Sequence, residues 1–223
     1  MNIIIIANGS FPTERAVLAR LCEADHLVCC DGALGKFLNW YRTLTPRPLL
    51  RVSAVGDGDS LAPSVLEEAR REGLQLHHEL ILEQESNDLS KAVRYALADA
   101  QGEAKVHLCI VGATGLREDH TLGNISLLAY YAMEYPEVGF EMVGDYGVFL
   151  PFSGVRRFET HQGQQVSLFS LTPDEPVSVS GLRYPIEGRC LRWWWEGTLN
   201  EALGDSFEVR GGKGVVYLLT GKK

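Results

Sequence analysis

The sequence predicts an α/β protein, in which a mostly parallel N-terminal sheet covered by helices is followed by a smaller antiparallel β domain. In the first two thirds of the chain, short apolar runs alternate with segments of helical periodicity. After about residue 145, short alternating or aromatic runs are separated by Gly, Pro, Asp and Asn instead. Strands that are apolar on both faces and alternate with helices are typical of a Rossmann-like sheet, buried between two helical layers.

Each element follows from a local pattern. Apolar runs predict N-terminal strands over 3–7, 27–30, 52–55, 106–111 and 140–143. An apolar stripe predicts a helix over 87–100, and a second helix is expected over 121–135, before Pro136. C-terminal strands are expected over 165–171, 177–180, 191–195, 207–210 and 215–219, with "GGKG" at 211–214 as a hairpin turn. The predicted domains are 1–146 and 147–223.

Composition restricts the class of protein. The 223 residues carry a net charge of -8, which argues against a general nucleic-acid binder. The five cysteines form no CxxC pair, so we expect reduced thiols in a cytoplasmic protein. The start "MNIIIIANGS" is too short to span a membrane and lacks the features of a signal peptide, so we expect no membrane association.

The stretch "VGDGDS", residues 55–60, places two carboxylates two residues apart after an apolar strand. Asp, Gly and Ser are common in turns, and Asp59 or Ser60 could simply cap the next helix. In an extended segment, however, Asp57 and Asp59 would point the same way, roughly 7 Å apart. Such a pair is suited to flanking a cation.

Further acidic residues follow other predicted strands or begin helices: Asp31 in "CCDGA", Asp88 in "EQESNDLSKAV" and Asp119 in "GATGLREDH". The carboxyl ends of parallel strands meet at one edge of a sheet, where ligands bind. Carboxylates that converge there raise one another's pKa unless a cation compensates them, and Mg²⁺ prefers such oxygen ligands. The sequence therefore predicts that at least four carboxylates converge at one edge of the sheet, where Asp57 and Asp59 could flank a metal ion.

The loop "GATGLR" after the strand that ends at Val111 offers donors for phosphate oxygens. Backbone N–H groups around Gly112 and Thr114, together with Arg117, could bind an anion at the start of the next helix. His120 and Asn124 follow within two turns, although a lone His can equally be a polar contact at a helix start. The chain has no GxxxxGK[ST] sequence, so a P-loop is excluded.

The three blocks "VGDGDS", "EQESNDLSKAV" and "GATGLREDHTLGNI" resemble, in order and spacing, the signature blocks of the bacterial thiamine pyrophosphokinase (thiamine diphosphokinase) family. That family shows GD-x-DS, then Q-x-x-x-D-x-x-K-A, then GG-x-x-x-R-x-DH-x-x-x-N. "DGA" at 31–33 resembles a further family motif. The resemblance covers most of residues 29–128 and resumes weakly at "SGLRYP" and "GTLNE".

This resemblance implies an N-terminal nucleotide-binding domain, a C-terminal β-sandwich that binds thiamine, and a homodimer with active sites between subunits. It implies Mg²⁺-dependent transfer of diphosphate from ATP to the hydroxyl of thiamine, leaving AMP. Asp57, Asp59, Asp88 and Asp119 would hold the metal, and Asp59 or Asp88 would accept the hydroxyl proton. The implied nucleotide and phosphate contacts are Asp31, Gln84, Lys91, Gly112, Thr114, Arg117, His120 and Asn124.

The implied thiamine contacts are Trp195, Thr198, Leu199 and Asn200, where Leu199 stands in place of the family's usual Ser. On a strand, Trp193 and Trp195 of "RWWWEG" would share one face, either stacking on a cationic thiazolium or filling a core or dimer interface. Two other functions stay open at this point. They are a related metal-dependent diphosphokinase acting on another alcohol, such as a pterin, and a non-catalytic module that binds thiamine or a nucleotide.

Overall fold

The computed structural model describes residues 1–221 and divides the chain into two compact units. The first unit comprises Met1–Asn124 and Glu137–Gly139. The second comprises Ile125–Pro136 and the chain from Phe140 onward. Among the described residues, no helix combines the length and the apolar character that a membrane span requires.

The first unit contains five strands that are hydrogen-bonded side by side in the order β5-β1-β2-β3-β4. Its strands are β1 (Asn2–Ile6), β2 (His26–Cys30), β3 (Arg51–Gly56), β4 (Gln75–Leu80) and β5 (His107–Val111). All four pairings are parallel. The helices are α1 (Arg15–Cys22), α2 (Ala33–Tyr41), α3 (Pro63–Arg71) and α4 (Asp88–Asp99), and α5 (Glu118–Glu134) begins in this unit. The predicted α/β class is confirmed.

The central strands are apolar for the reason that the sequence suggested. Ile3 to Ile6 on β1 and the whole of β2 are buried, because helices cover both faces of the sheet. The predicted helix over 87–100 is α4, and Asn87 caps it by accepting a hydrogen bond from the Ser90 N–H at 2.9 Å. These strands and this helix bring the loops of the candidate site together.

Strand β4 was not predicted, because its sequence QLHHEL lacks the apolar pattern of a buried strand. β4 is an edge strand whose only partner among the described strands is β3, and its side chains are exposed or half-buried. Polar residues are therefore tolerated there, and charged side chains discourage pairing with a second chain.

The second unit is an antiparallel β-sandwich, together with most of α5. Its strands are β6 (Gly139–Val143), β7 (Gly147–Glu159), β8 (Gln165–Ser170), β9 (Pro176–Ser180), β10 (Ile186–Cys190), β11 (Asn200–Glu201) and β12 (Ser206–Leu219). β12 pairs with three other strands of this unit. It pairs with β7 along its length, with β9 through 208–210 and with β8 through 214–218. Apolar side chains from β7, β8, β9, β10 and β12 form one buried core.

The prediction of a hairpin turn at 211–214 is wrong. β12 runs through this stretch as one strand, with a register shift against β7 between Arg210 and Lys213. Gly211 and Gly212 both have positive φ, and a Cβ on Gly211 would lie 2.4 Å from the Pro176 carbonyl oxygen. The glycines therefore mark a β-bulge and a close backbone approach, not a chain reversal.

The strand predicted over 191–195 is also wrong, because Trp194–Gly197 forms a 3₁₀ helix. Trp194 packs edge-on against Phe169, and its indole N–H donates to the Ser170 carbonyl at 3.2 Å. Trp193 and Trp195 are 68% and 73% exposed. The helix thus directs the middle indole inward and leaves its two neighbours at the surface.

Candidate active site

A cleft of about 440 Å³ lies in the first unit, at the carboxyl ends of its parallel strands. In an open parallel sheet, this is the edge at which ligands bind. Eight of the twelve residues predicted to bind the metal, the nucleotide or its phosphates line the cleft: Asp57, Asp59, Asp88, Lys91, Thr114, Arg117, His120 and Asn124.

Asp31, directly after β2, anchors the VGDGDS loop. Its side chain is almost fully buried, and its Oδ1 accepts a hydrogen bond from the Gly58 N–H at 3.1 Å. Oδ2 accepts from both the Ser60 N–H and the Ser60 hydroxyl, each at 2.9 Å. A Cβ on Gly56 would lie only 2.6 Å from Asp31 Oδ1, so only glycine lets the loop pass this close. Asp31 thereby fixes the loop that presents Asp57 and Asp59.

Asp31, Asp57 and Asp59 each offer an oxygen that lies within 4.8 Å of the other two. The Asp57 charge raises the pKa of Asp59, so the repulsion between the carboxylates is not fully compensated by protein groups. Three clustered carboxylate oxygens are a donor set that fits a hard divalent cation. Asp88 and Asp119 lie outside this cluster, and their role as metal ligands stays a prediction.

Lys91 on α4 is a buried cation between two of the predicted acids. Its side chain is 2% exposed, and its Nζ donates to Asp57 Oδ2 at 3.0 Å and to Asp88 Oδ1 at 3.2 Å. A buried ammonium is tolerated because both carboxylates hydrogen-bond to it. Lys91 therefore links the loop after β3 to the first turn of α4.

The three groups titrate differently for identifiable reasons. The hydrogen bond from Lys91 lowers the pKa of Asp57. Burial raises the pKa of Asp88, and outweighs the hydrogen bond from Lys91 that would lower it. Although burial alone would lower the pKa of Lys91, its hydrogen bonds to both carboxylates raise it. Asp57 is thus the more firmly ionised carboxylate, and Asp88 holds a proton more readily.

The loop after β5 is fixed by the loop after β1. The Gly9 N–H donates to the Gly112 carbonyl at 2.7 Å, and the Ser10 N–H donates to the Thr114 carbonyl at 2.9 Å. Asn124, which is buried on α5, donates from its side-chain amide to the Ala113 carbonyl at 2.8 Å. These bonds hold Thr114 at the cleft wall, while Gly112 is buried in the loop and does not line the cleft.

Arg117 and Asp119 form an exposed, bidentate ion pair. Arg117 Nε donates to Asp119 Oδ1 at 3.1 Å, and Nη2 donates to Oδ2 at 2.6 Å. The hydrogen bond from Arg117 lowers the pKa of Asp119 to about 2. Asp119 does not line the cleft, whereas Arg117 and His120 do. Gln84 is exposed and does not line the cleft either.

Sequence reasoning missed several lining residues, among them Asn8, Gly9, Ser60, Ser86, Asn87 and Thr121. The signal for Asn8 and Gly9 was the "NGS" that follows the first apolar strand. Lys36 on α2 holds this turn, because its Nζ donates to the Asn8 and Gly9 carbonyls, each at 2.8 Å. A lysine that binds backbone carbonyls of a distant loop leaves no pattern in the sequence.

The predicted thiamine contacts lie in the second unit. Trp195 and Leu199 are 73% and 79% exposed, and Thr198 donates from its hydroxyl to the Trp195 carbonyl at 2.8 Å. Asn200 is buried. Its Oδ1 accepts from the N–H groups of Tyr184 and Glu201, and its Nδ2 donates to the Tyr184 carbonyl at 2.7 Å. Asn200 thus braces the loop that presents Leu199.

Two family models match the chain. The model described as "Thiamin pyrophosphokinase, catalytic domain" matches residues 19–139, and "Thiamin pyrophosphokinase, substrate-binding domain" matches residues 147–217. Together they define the class as an enzyme with a catalytic part and a substrate-binding part. The chain belongs to the thiamin pyrophosphokinase family.

Individual proteins are similar to it at lower identity. A protein from Oryza sativa subsp. japonica, "Thiamine pyrophosphokinase 1", is 23% identical over 182 residues, covering 74% of this chain and 67% of that protein. The structure of a thiamin pyrophosphokinase from Candida albicans has a TM-score of 0.79 and 16% identity over 98% of this chain and 89% of the other. A Bacillus subtilis thiamine pyrophosphokinase has a TM-score of 0.78 and 20% identity over all of both chains. These structural likenesses show a shared fold.

Proposed function

We propose that the protein transfers a diphosphate group from ATP to the hydroxyl of thiamine in a Mg²⁺-dependent reaction, giving thiamine diphosphate and AMP. The observation that carries this proposal is the bridge from Asp57 through Lys91 to Asp88, beside the carboxylate cluster of Asp31, Asp57 and Asp59. It lies in a cleft lined wholly by residues of the unit that contains most of the catalytic-domain match.

In this reaction the thiamine hydroxyl oxygen forms a bond to the β-phosphorus of ATP, and the bond between that phosphorus and the oxygen bridging to the α-phosphate breaks. AMP carries away the electron pair, and the hydroxyl proton passes to a carboxylate. Such a transfer depends mainly on positioning and on compensation of charge, with little covalent help from the protein. Mg²⁺, when bound, would supply positive charge to the polyphosphate.

The residues of the cleft divide these tasks between them. Asp57 and Asp59, with Asp31 behind their loop, would hold the metal, and Asp88 and Asp119 are further proposed ligands. Arg117 and the loop around Thr114 would contact phosphate oxygens, together with Gln84, Gly112, His120 and Asn124. Burial raises the pKa of Asp88, which suits it to accept the hydroxyl proton. Lys91 keeps Asp57 ionised.

We assign residues 1–146 to the catalytic domain and residues 147–223 to a domain that binds thiamine and forms a homodimer. The substrate-binding family match over residues 147–217 supports this division. Exposed Trp195 and Leu199, with Thr198 and Asn200, are the proposed thiamine contacts. The dimer is tested by sedimentation of the purified protein. A cytoplasmic location stays a prediction from the cysteine content.

The proposal is tested by incubating the purified protein with ATP, Mg²⁺ and thiamine, and by separating the products by chromatography. We expect AMP and thiamine diphosphate in equal amounts, and neither with Asp57→Asn. A matched control is Asp25→Asn, at an exposed carboxylate that does not line the cleft. AMP formed with a pterin alcohol but not with thiamine would overturn the assignment of thiamine as the acceptor substrate. Nucleotide binding without turnover would overturn the catalytic assignment.

A further inference from the structure

Helix α4 and strand β3 are joined by three polar contacts that continue away from the cleft. On the helix, Lys91, Tyr95 and Asp99 recur every four residues and so lie on one face. On β3 and the residue that follows its end, Arg51, Ser53 and Asp57 are separated by even numbers of residues and share one face of the extended chain. We call the three contacts the polar ladder: Lys91–Asp57, Tyr95–Ser53 and Asp99–Arg51.

All three contacts have hydrogen-bonding geometry. Lys91 Nζ lies 3.0 Å from Asp57 Oδ2, and the hydroxyl oxygens of Tyr95 and Ser53 lie 3.0 Å apart. Arg51 Nη2 donates to Asp99 Oδ1 at 2.6 Å. The helix runs antiparallel to the strand, so successive helix residues meet successive strand residues in reverse order. The contact nearest the cleft is thereby coupled to two contacts farther along the same helix.

His26 on β2 braces the ladder from the neighbouring strand. It is fully buried, its Nε2 lies 2.8 Å from Ser53 Oγ, and its Nδ1 lies 3.0 Å from Asp99 Oδ2. A shift of α4 by one residue moves it about 1.5 Å along its axis, which breaks every one of these contacts together. Apolar packing alone tolerates such a shift more readily, because it is not directional.

Ser53, His26 and Asp99 are hydrogen-bonded in the order of a nucleophilic triad. Ser53 is almost fully buried, however, and its hydroxyl also contacts the Tyr95 hydroxyl at 3.0 Å. Its position in the middle of β3 also leaves its backbone paired with β2 and β4. We therefore interpret these contacts as structural. Tyr95 and Asp99 both belong to α4, so the contacts hold that helix in place against β2 and β3.

We propose that the polar ladder sets the axial position of α4 and thereby holds Lys91 between Asp57 and Asp88. Ser53, Tyr95 and His26 are then positioning residues for the proposed diphosphate transfer, on which this inference rests. They act through Lys91, which is the ladder residue that lines the cleft from α4. A helix is stiff over its length, so a contact two turns away fixes the side chains of its first turn.

The test compares Tyr95→Phe with Tyr41→Phe. Each removes only a hydroxyl, and Tyr41 on α2 donates to the Pro48 carbonyl at 2.8 Å, remote from the ladder. We expect Tyr95→Phe to lower kcat about fivefold, with the thiamine KM unchanged, because the reacting groups are misplaced. Amide hydrogen exchange should quicken in the first turns of α4. Tyr41→Phe should destabilise the protein to a similar degree while leaving kcat and α4 exchange unchanged.

A double-mutant cycle gives a second criterion. Ser53→Ala removes the contact with Tyr95 and also the contact with His26, so adding Tyr95→Phe to Ser53→Ala should lower kcat little further. Equal effects of Tyr95→Phe and Tyr41→Phe on kcat, or additive effects in the cycle, would overturn the proposal. If the wild-type protein forms no AMP from thiamine, the proposed function fails by itself. In that case, amide hydrogen exchange alone tests whether the polar ladder positions α4. Faster exchange confined to α4 in Tyr95→Phe supports this role of the ladder, and unchanged exchange refutes it.

Discussion

Lys91 Nζ lies 3.0 Å from Asp57 Oδ2, and the lysine side chain is 2% exposed. One residue on a helix and one on a strand-end loop are therefore held by a charged hydrogen bond that water barely reaches. Loss of the carboxylates would leave the Lys91 ammonium buried without a partner, whereas Asp57 and Asp88 are 16% and 29% exposed at the cleft. The contribution of this contact to the free energy of unfolding can be measured without an activity assay.

Lys91→Met should destabilise the fold by about 2 kcal/mol, since Asp57 and Asp88 lose the charged hydrogen bonds from their shared cation. The measurement is urea denaturation at neutral pH. Lys105→Met, at an exposed lysine, serves as the control and should cost little. An Lys91→Met protein as stable as the control would show that the ammonium does not hold the two carboxylates.

Asp31→Ala should destabilise the protein by about 2 kcal/mol, because two backbone N–H groups and one hydroxyl lose their acceptor. Activity should fall as well, since the loop that presents Asp57 and Asp59 loses its anchor. The comparison is Asp25→Ala, where an exposed carboxylate accepts one hydrogen bond from the Asn2 N–H. Equal losses of stability in the two variants would contradict the anchoring role.

Stability should fall as the pH is lowered from 7 towards 5, and His26 should be a main cause. Burial lowers the pKa of His26 in the folded protein below its ordinary value of 6.5, so the unfolded chain binds the proton first. Its contribution is present above pH 6.5 and is lost below it. His26→Gln should flatten this dependence, measured as free energy of unfolding against pH. His161→Gln, at an exposed histidine, is the control for the substitution itself and should leave the free energy of unfolding at pH 7 close to that of the wild type.

Leu199→Asn should stabilise the protein by roughly 1 kcal/mol, because Leu199 has a φ of 61° and Asn adopts that left-handed region at lower cost. Thermal unfolding measures the effect. Leu203→Asn is the matched control, since Leu203 is also exposed and lacks positive φ. If both substitutions shift the unfolding temperature equally, backbone strain at Leu199 is not the reason.

The sequence predicted the features that depend on local periodicity. The central strands were recognised by their continuous apolar runs, and α4 by its apolar stripe. β4 escaped prediction because an edge strand needs no apolar pattern. The bulge in β12 was interpreted as a turn, since paired glycines mark close backbone approach as well as chain reversal. The sequence pattern alone does not distinguish a β-bulge with paired glycines from a hairpin turn.

The sequence predicted which residues lie at the site better than it predicted which of them hydrogen-bond to one another. Strand ends converge in a parallel sheet, so Asp57, Asp59 and Asp88 could be placed at one edge from topology alone. The sequence could not show that Lys91 is shared by Asp57 and Asp88, or that Asp119 pairs with Arg117. It also did not show that the Asp31 carboxylate bonds to the VGDGDS loop. Which hydrogen-bond partner each of these side chains has depends on its rotamer, and the sequence pattern does not show rotamers.

The pairing of β12 with β7, β8 and β9 sets the order in which the second unit assembles during synthesis. All three partners precede β12 in the chain, so each leaves the ribosome before the strand that joins them. Until residues 206–219 emerge, their apolar faces and open hydrogen-bonding edges stay unshielded, and such nascent segments are targets for chaperones. The five parallel strands of the first unit end by Val111 and do not have to wait for β12.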